Sequence, residues 1–96
     1  MDTNYIAGII RILEFPKQQV LVNNSNSSLV TSVRAQLYNY RNSPIVTLTF
    51  WGSLAYDTQT IYKKHDYFIV EGFLSIRETI EITVLRAHPI FLNYYI

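Results

Sequence analysis

Apolar and polar residues alternate along most of this chain, and the places where the alternation stops mark its turns. From Leu29 to Tyr40, Val33, Ala35 and Leu37 share one parity, while Arg34, Gln36, Tyr38 and Tyr40 share the other. That is the pattern of a half-buried strand. RNSP makes a turn; then Val46, Leu48 and Phe50 point inward and Ile45, Thr47, Thr49 and Trp51 outward. A third alternating run spans Tyr67 to Arg77, with Phe68, Val70, Leu74 and Ile76 inward and Tyr67, Ile69, Glu71, Phe73, Ser75 and Arg77 outward. A tight turn near Glu78 and Thr79 leads to a last strand with Ile80, Ile82 and Val84 inward.

Three segments depart from simple alternation. Asn4 to Glu14 is apolar at both parities, with Ile6, Ile10 and Ile12 on one face and Ala7, Ile9 and Leu13 on the other. A strand of that kind is usually buried on both faces, and in so short a chain a second subunit is expected to cover one of them. Pro16 ends or bends this strand, and QQVLV resumes it. NNSNSS, from Asn23 to Ser28, reads as turn and loop because its side chains compete for backbone hydrogen bonds. Gly52 breaks the strand after Trp51, and Leu54 to Tyr62 has helical character, offering Leu54, Thr58, Ile61 and Tyr62 to one face. Lys63 and Lys64 follow, where a helix C-terminus favours cations. Pro89 is expected to separate the last strand from an apolar, aromatic tail over 87–96. Three strands, a short helix and two more strands give the layout of the OB-fold, an all-β, five-stranded antiparallel barrel with a helix between its third and fourth strands.

Composition bounds the rest. With 96 residues the chain is one domain, 1–96, with a thin core, and no repeat or linker argues for a second. Hydrophobic residues make up 49% and charged residues 16%, which is lean in charge and leaves apolar surface for a subunit interface. The net charge of +1 is low for a polyanion binder, so any nucleic-acid reading rests on where the charges sit. The absence of cysteine excludes disulfides and thiol catalysis. No apolar run approaches the ~20 residues that span a membrane. The opening MDTNYIAGIIRIL has no basic leader, so a soluble, intracellular protein with no membrane partner is expected.

NYIAGIIRILEFP resembles the opening strand of the single-stranded DNA-binding protein family of bacteria and organelles. VTLTFWGSLAYDTQTIYKKHDYFIVEGFLSIR resembles the stretch in which an aromatic and a Gly precede a helix and a following strand. Gly52, Leu54, Ala55, Lys63, Lys64, Asp66, Glu71, Gly72 and Leu74 fit that stretch without a gap, and the similarity covers residues 4–86. The chain departs from the family pattern at His65, Ser53, Ile45 and Thr47. Its turn between the last two strands is short, and no acidic C-terminal tail is present. The pattern is similar to a minimal, plastid-type member and to the primosomal DNA-binding protein. The resemblance implies binding of single-stranded DNA in replication or related DNA metabolism, with affinity lowered by the missing cations. A taste for Ile, Asn and Tyr agrees with an AT-rich organelle or bacterial genome.

Trp51 matches the family's stacking aromatic, where a base on an exposed ring contributes ~1–3 kcal/mol. The competing reading is an indole packed in the barrel or in an oligomer contact. Tyr38, Tyr40 and Phe73, with Arg34 and Arg77, would make an aromatic and cationic sheet face of the kind that single-stranded DNA grooves use; an ordinary cross-strand aromatic ladder with solvated Arg side chains is the alternative. Lys63 and Lys64 are either backbone contacts or solvated helix caps. His65 and Asp66 read as turn residues, without the further ligands a metal needs, and no cofactor is implied. WGSLA lacks the second Gly of a nucleophile elbow, so an enzyme is not expected. The reading is therefore a homodimer or homotetramer assembled through strand 4–14 that binds single-stranded DNA, with RNA left open because stacking does not read the sugar. The rival is an OB-fold subunit that kept the barrel, lost the DNA and serves as a structural or protein-interaction module.

Overall fold

The computed structural model describes residues 4–38, 41–61 and 67–90. In chain order these form β1 (Tyr5–Ile12), β2 (Lys17–Asn23), β3 (Asn26–Leu37), β4 (Ile45–Trp51), α1 (Ser53–Ile61), β5 (Tyr67–Ile76) and β6 (Ile80–Ile90). The pairings run in a ring. β1 pairs with β5 from Tyr5 opposite Phe73 to Arg11 opposite Tyr67, β5 with β6, β6 with β4, and β4 with β3. The end of β1 then meets β3, with Ile10 opposite Leu37 and Ile12 opposite Ala35. This is the OB-fold. All pairings are antiparallel except that of β4 with β6, which run parallel where Thr47, Leu48 and Thr49 meet Glu81, Ile82 and Thr83. The expectation of a purely antiparallel barrel lacked that contact. It arises because α1 and β5 carry the chain across before β6 arrives, and a parallel pair needs such a crossover.

β1 and β2 follow one path along β3. Beyond Ile12, the Leu13 N–H donates to the Arg34 carbonyl at 3.0 Å, and Lys17 then pairs with Ser32. Residues 13–16, ending in Pro16, put a bend in what is otherwise a continuation. The first strand therefore does resume, and the fold has five strand paths drawn as six segments.

The barrel interior is where the alternation pays off. Ile10, Ile12, Leu48, Phe50, Phe68 and Ile82 are fully buried, together with Val33, Val46 and Val70. Each of the larger side chains contributes about 1.5–3 kcal/mol by leaving water. Gly72 is fixed by close packing, because a Cβ there would overlap the Thr83 carbonyl on the neighbouring strand. The sheet has its bulge at this point: the register shifts between Glu71 and Gly72, leaving Leu85 as the extra residue of β6.

Three expectations need correction. NNSNSS is not a loop: Asn23 pairs with Asn26, so only Asn24 and Ser25 turn, and Asn26 to Ser28 open β3. Asn24 takes φ 59°, a left-handed value that Asn tolerates in two-residue hairpins. Parity places Ile76 inward, yet it is 70% exposed. It faces Ile80 on the last rung of the β5–β6 hairpin, where Ile80 is half-buried against the edge of the core and Ile76 is left in water. Pro89 does not end β6; it pairs with Phe68, and the strand runs on to Ile90. β6 pairs with β4 only over Glu81–Thr83, and no described strand pairs with that edge of its far half, a position in which a proline is tolerated. One face of β1 is not enclosed within the chain: Tyr5, Ala7 and Ile9 are exposed while Ile6, Ile10 and Ile12 are buried.

α1 closes the barrel beside β2 and β3. Its Ala55 and Thr58 are buried, and the Ala55 carbonyl accepts three side-chain donors: Thr31 Oγ1 at 2.7 Å, Thr58 Oγ1 at 2.7 Å and Gln18 Nε2 at 2.8 Å. Helix, barrel strand and outer strand are thus joined at one oxygen.

Candidate nucleic-acid interface

Trp51 is the last residue of β4 and lies on its outward parity, 45% exposed. Gly52 follows at φ 65°, a left-handed turn that lets the strand end and α1 begin within one residue. The Gly52 N–H is held by the Leu29 carbonyl at 3.0 Å, and the Gly52 carbonyl receives the Tyr56 N–H at 3.1 Å. The indole is therefore held at the lip of the barrel by a backbone secured on both sides, and the reading of an enclosed Trp is removed.

The cross-strand register shows what surrounds it. Trp51 lies opposite Val30, which lies opposite Gln19, so its own rung is uncharged. One rung further on, Lys17, Ser32, Thr49, Thr83, Phe73 and Tyr5 follow one another across β2, β3, β4, β6, β5 and β1. The next rung holds Arg34, Thr47, Glu81 and Ser75. The outer face is thus a hydroxyl-rich band, with cations at the β2–β3 side, Trp51 on one border and Phe73 at the far side. Phe73 is 42% exposed and packs edge-on against Tyr5, with ring centroids 6.2 Å apart and planes at 76°.

Arg34 is exposed but engaged. Its backbone N–H donates to Glu14 Oε2 at 3.1 Å and its Nε to Glu14 Oε1 at 3.2 Å, while the side chain keeps 64% of its surface exposed. Partial burial pulls the Glu14 pKa up. The two Arg34 donors and the charges of Arg34 and Lys17 outweigh that pull and hold the carboxyl below its ordinary value. Arg77 is exposed in the β5–β6 turn, where its N–H meets the Thr79 carbonyl at 3.1 Å.

Tyr38 shares Trp51's outward parity but not its neighbourhood. It follows the end of β3, eight residues from Val30, or roughly 26 Å of strand at ~3.3 Å per residue. There its ring lies 5.6 Å from that of Tyr67, tilted by 35°, and its hydroxyl accepts a long 3.5 Å contact from Arg11 Nη1. That contact, with one from Tyr67, lowers the Tyr38 pKa from the usual phenol value. The expected site therefore divides into a Trp51–Phe73 band carrying Arg34 and a separate Arg11–Tyr38–Tyr67 cluster. Arg11, Tyr67, Tyr5 and Lys17 are the additions that sequence reading missed. Arg11 was hidden by the Ile-rich parity of β1, and Lys17 because the resuming strand was read as QQVLV, which begins one residue after it. Tyr40, Lys63, Lys64, His65 and Asp66 lie outside the described residues. Among the described residues no three His, Cys, Asp or Glu side chains gather as a metal would need, and no helix is long and apolar enough to cross a membrane.

No family model matches the chain. A curated relative from Trieres chinensis, named "Putative single-stranded DNA-binding protein ycf41", is 40% identical over 81 residues, covering 80% of this chain and 69% of the relative. The chain belongs to the single-stranded DNA-binding protein family. Solved structures share the fold. The SSB domain of a Synechococcus sp. protein matches with a TM-score of 0.76 at 22% identity, covering 92% of this chain and 97% of its own. The second single-stranded DNA-binding protein of Mycobacterium smegmatis matches at 0.75 and 23%, over 92% and 89%. The protein priB from Ralstonia solanacearum matches at 0.62 and 9%, over 92% and 99%.

Proposed function

We propose that this protein binds single-stranded DNA, stacking a base on Trp51 and passing the strand across the hydroxyl-rich band toward Phe73. The observation that carries the reading is the 45%-exposed indole on the outward parity of β4, secured through Gly52. Family membership supports it, since the relative from Trieres chinensis carries that activity in its name. Lys17 and Arg34 flank the band and supply phosphate contacts, while Ser32, Thr47, Thr49 and Thr83 offer hydroxyls to base edges. So few cations leave stacking to supply most of the affinity, and each neutralised phosphate adds only about −0.7 to the log–log salt slope on single strands. The role is non-enzymatic, in replication or related DNA metabolism, and plastid location fits the resemblance. Titrating Trp51 fluorescence with oligo-dT at two salt concentrations tests the proposal. Quenching with a shallow salt slope is expected, and an unchanged spectrum at tens of micromolar would refute it.

The uncharged rung of Trp51 favours a second reading, a structural or protein-interaction OB subunit with weak or no nucleic-acid binding; the same titration separates the two. Assembly as a homodimer or homotetramer through β1 is part of the proposal. Its exposed face carries Tyr5, Ala7 and Ile9, and among the described residues β3 pairs with β1 from Ile10 onward, the Tyr38 N–H bonding the Ile9 carbonyl beyond it at 2.7 Å. A sedimentation profile that stays monomeric at high concentration would remove that part.

A further inference from the structure

Beyond Lys17 and Ser32, the β2–β3 hairpin carries an edge that lies outside the proposed DNA path. β2 is the terminal strand of the sheet: β3 pairs with one of its edges, and no described strand pairs with the other. Edge strands are usually protected by charge, proline or a bulge. β2 pairs with β3 in unbroken register from Lys17 to Asn23, and the sixteen residues from Gln18 to Val33 contain neither a charge nor a proline. Val20, Leu21 and Val22 are 60%, 44% and 73% exposed, so both faces of the strand show apolar groups to water. Outward of Val30, where β3 leaves β4, the hairpin is a two-stranded ribbon, which is marginal by itself, and further strands are what make such a ribbon stable.

The sequence of this edge indicates what completes it. Read outward from Leu21, it repeats by class in both directions: Val20 and Val22, Gln19 and Asn23, Gln18 and Asn24. From this we infer that β2 pairs antiparallel with β2 of a second copy of this chain, about a two-fold axis through Leu21. That register sets Val20 opposite Val22 of the second copy, amide residues opposite amide residues, and Leu21 opposite itself. It also preserves which face each residue occupies, because side-chain direction alternates with a period of two. The only nearby charge, Lys17, falls opposite Ser25 of the second copy, so the two lysines stand at opposite ends and no like charges meet. Such a contact is isologous, as homodimer interfaces are. A DNA strand is the poorer occupant of this edge, since no cation lies between Gln18 and Val33 to neutralise phosphate. The inference is independent of the Trp51 reading, and its test contains no DNA.

The chain has no cysteine, so one introduced thiol reports one contact. Directly opposed residues in an antiparallel pair have Cα atoms about 4.5–5.5 Å apart, within disulfide range. Under mild oxidation Leu21→Cys is expected to yield a cross-linked dimer, whereas Val20→Cys and Val22→Cys cross-link only when mixed with each other. Charge reversal gives a second readout by sedimentation velocity. Leu21→Lys and Leu21→Glu should each self-associate at least about tenfold more weakly than the parent, because like charges face across the axis, and a mixture of the two should regain association. All these positions are exposed, and a circular dichroism spectrum matching the parent confirms the fold. A Leu21→Cys protein that stays monomeric, a Val20→Cys protein that cross-links alone, or a Leu21→Lys protein that associates like the parent overturns the inference.

Discussion

Along β4 burial alternates with parity: Val46, Leu48 and Phe50 are enclosed while Ile45 and Trp51 face water. Along β2 it does not, and Gln18 through Val22 are exposed at both parities. Both are seven-residue strands paired in regular register. In the barrel, a strand's position is set by the core it feeds. In the β2–β3 arm it is set by a two-residue turn, a backbone ladder and the anchor of Gln18 on the Ala55 carbonyl. The same local structure therefore rests on two different sources of stability, and substitutions should tell them apart.

Removing a core ring should cost most. Phe50→Ala leaves a large cavity and is expected to lower unfolding free energy by about 3–5 kcal/mol in urea titration. A cost near zero would mean that the barrel is as loosely specified as the arm. Trp51→Ala stands at the border between the regions and should leave stability nearly unchanged. It should weaken oligo-dT binding by about 1–3 kcal/mol, measured by anisotropy of labelled DNA. Thr31→Val tests the junction. It removes one of three side-chain donors on the Ala55 carbonyl and leaves the other two in place, so a loss of about 1 kcal/mol or less is expected.

Acid should act at the bend between β1 and β2, where Glu14 holds Arg34. The folded-state pKa of Glu14 is depressed, so the stability it contributes is complete above the ordinary Glu value of about 4.3. That contribution is lost as pH falls from there through the lower folded value. Thermal melts between pH 6 and pH 3 should show a smaller acid-induced drop for Glu14→Gln than for the parent. Val22→Thr, on the exposed arm, should change stability by no more than about 0.5 kcal/mol in dilute protein. A larger loss would show that the arm buries this residue.

The sequence made the barrel legible wherever one face of a strand is wet and the other dry, because β3 and β4 then write their orientation into every second residue. It misled where that contrast fades. Ile76 has a core parity but is left in water at the core's edge, and Pro89 reads as a stop only if its N–H is needed. NNSNSS has a loop's composition, but register with β2 holds most of it extended. The candidate site was half legible for a related reason. Parity tells which side of the sheet a residue faces, and Trp51, Phe73, Arg34 and Tyr38 all face outward as expected. Parity carries no information on distance along a strand, so it could not reveal that Tyr38 belongs with Arg11 and Tyr67 at the other end of β3.

The oxygen of Ala55 has a mechanical consequence. Three members meet at it, from helix, barrel wall and outer ribbon, and the helix begins one residue after the turn that follows Trp51. Lip, helix and ribbon therefore share one short path of covalent and hydrogen bonds, from Trp51 through Gly52 to Ala55 and on to Gln18.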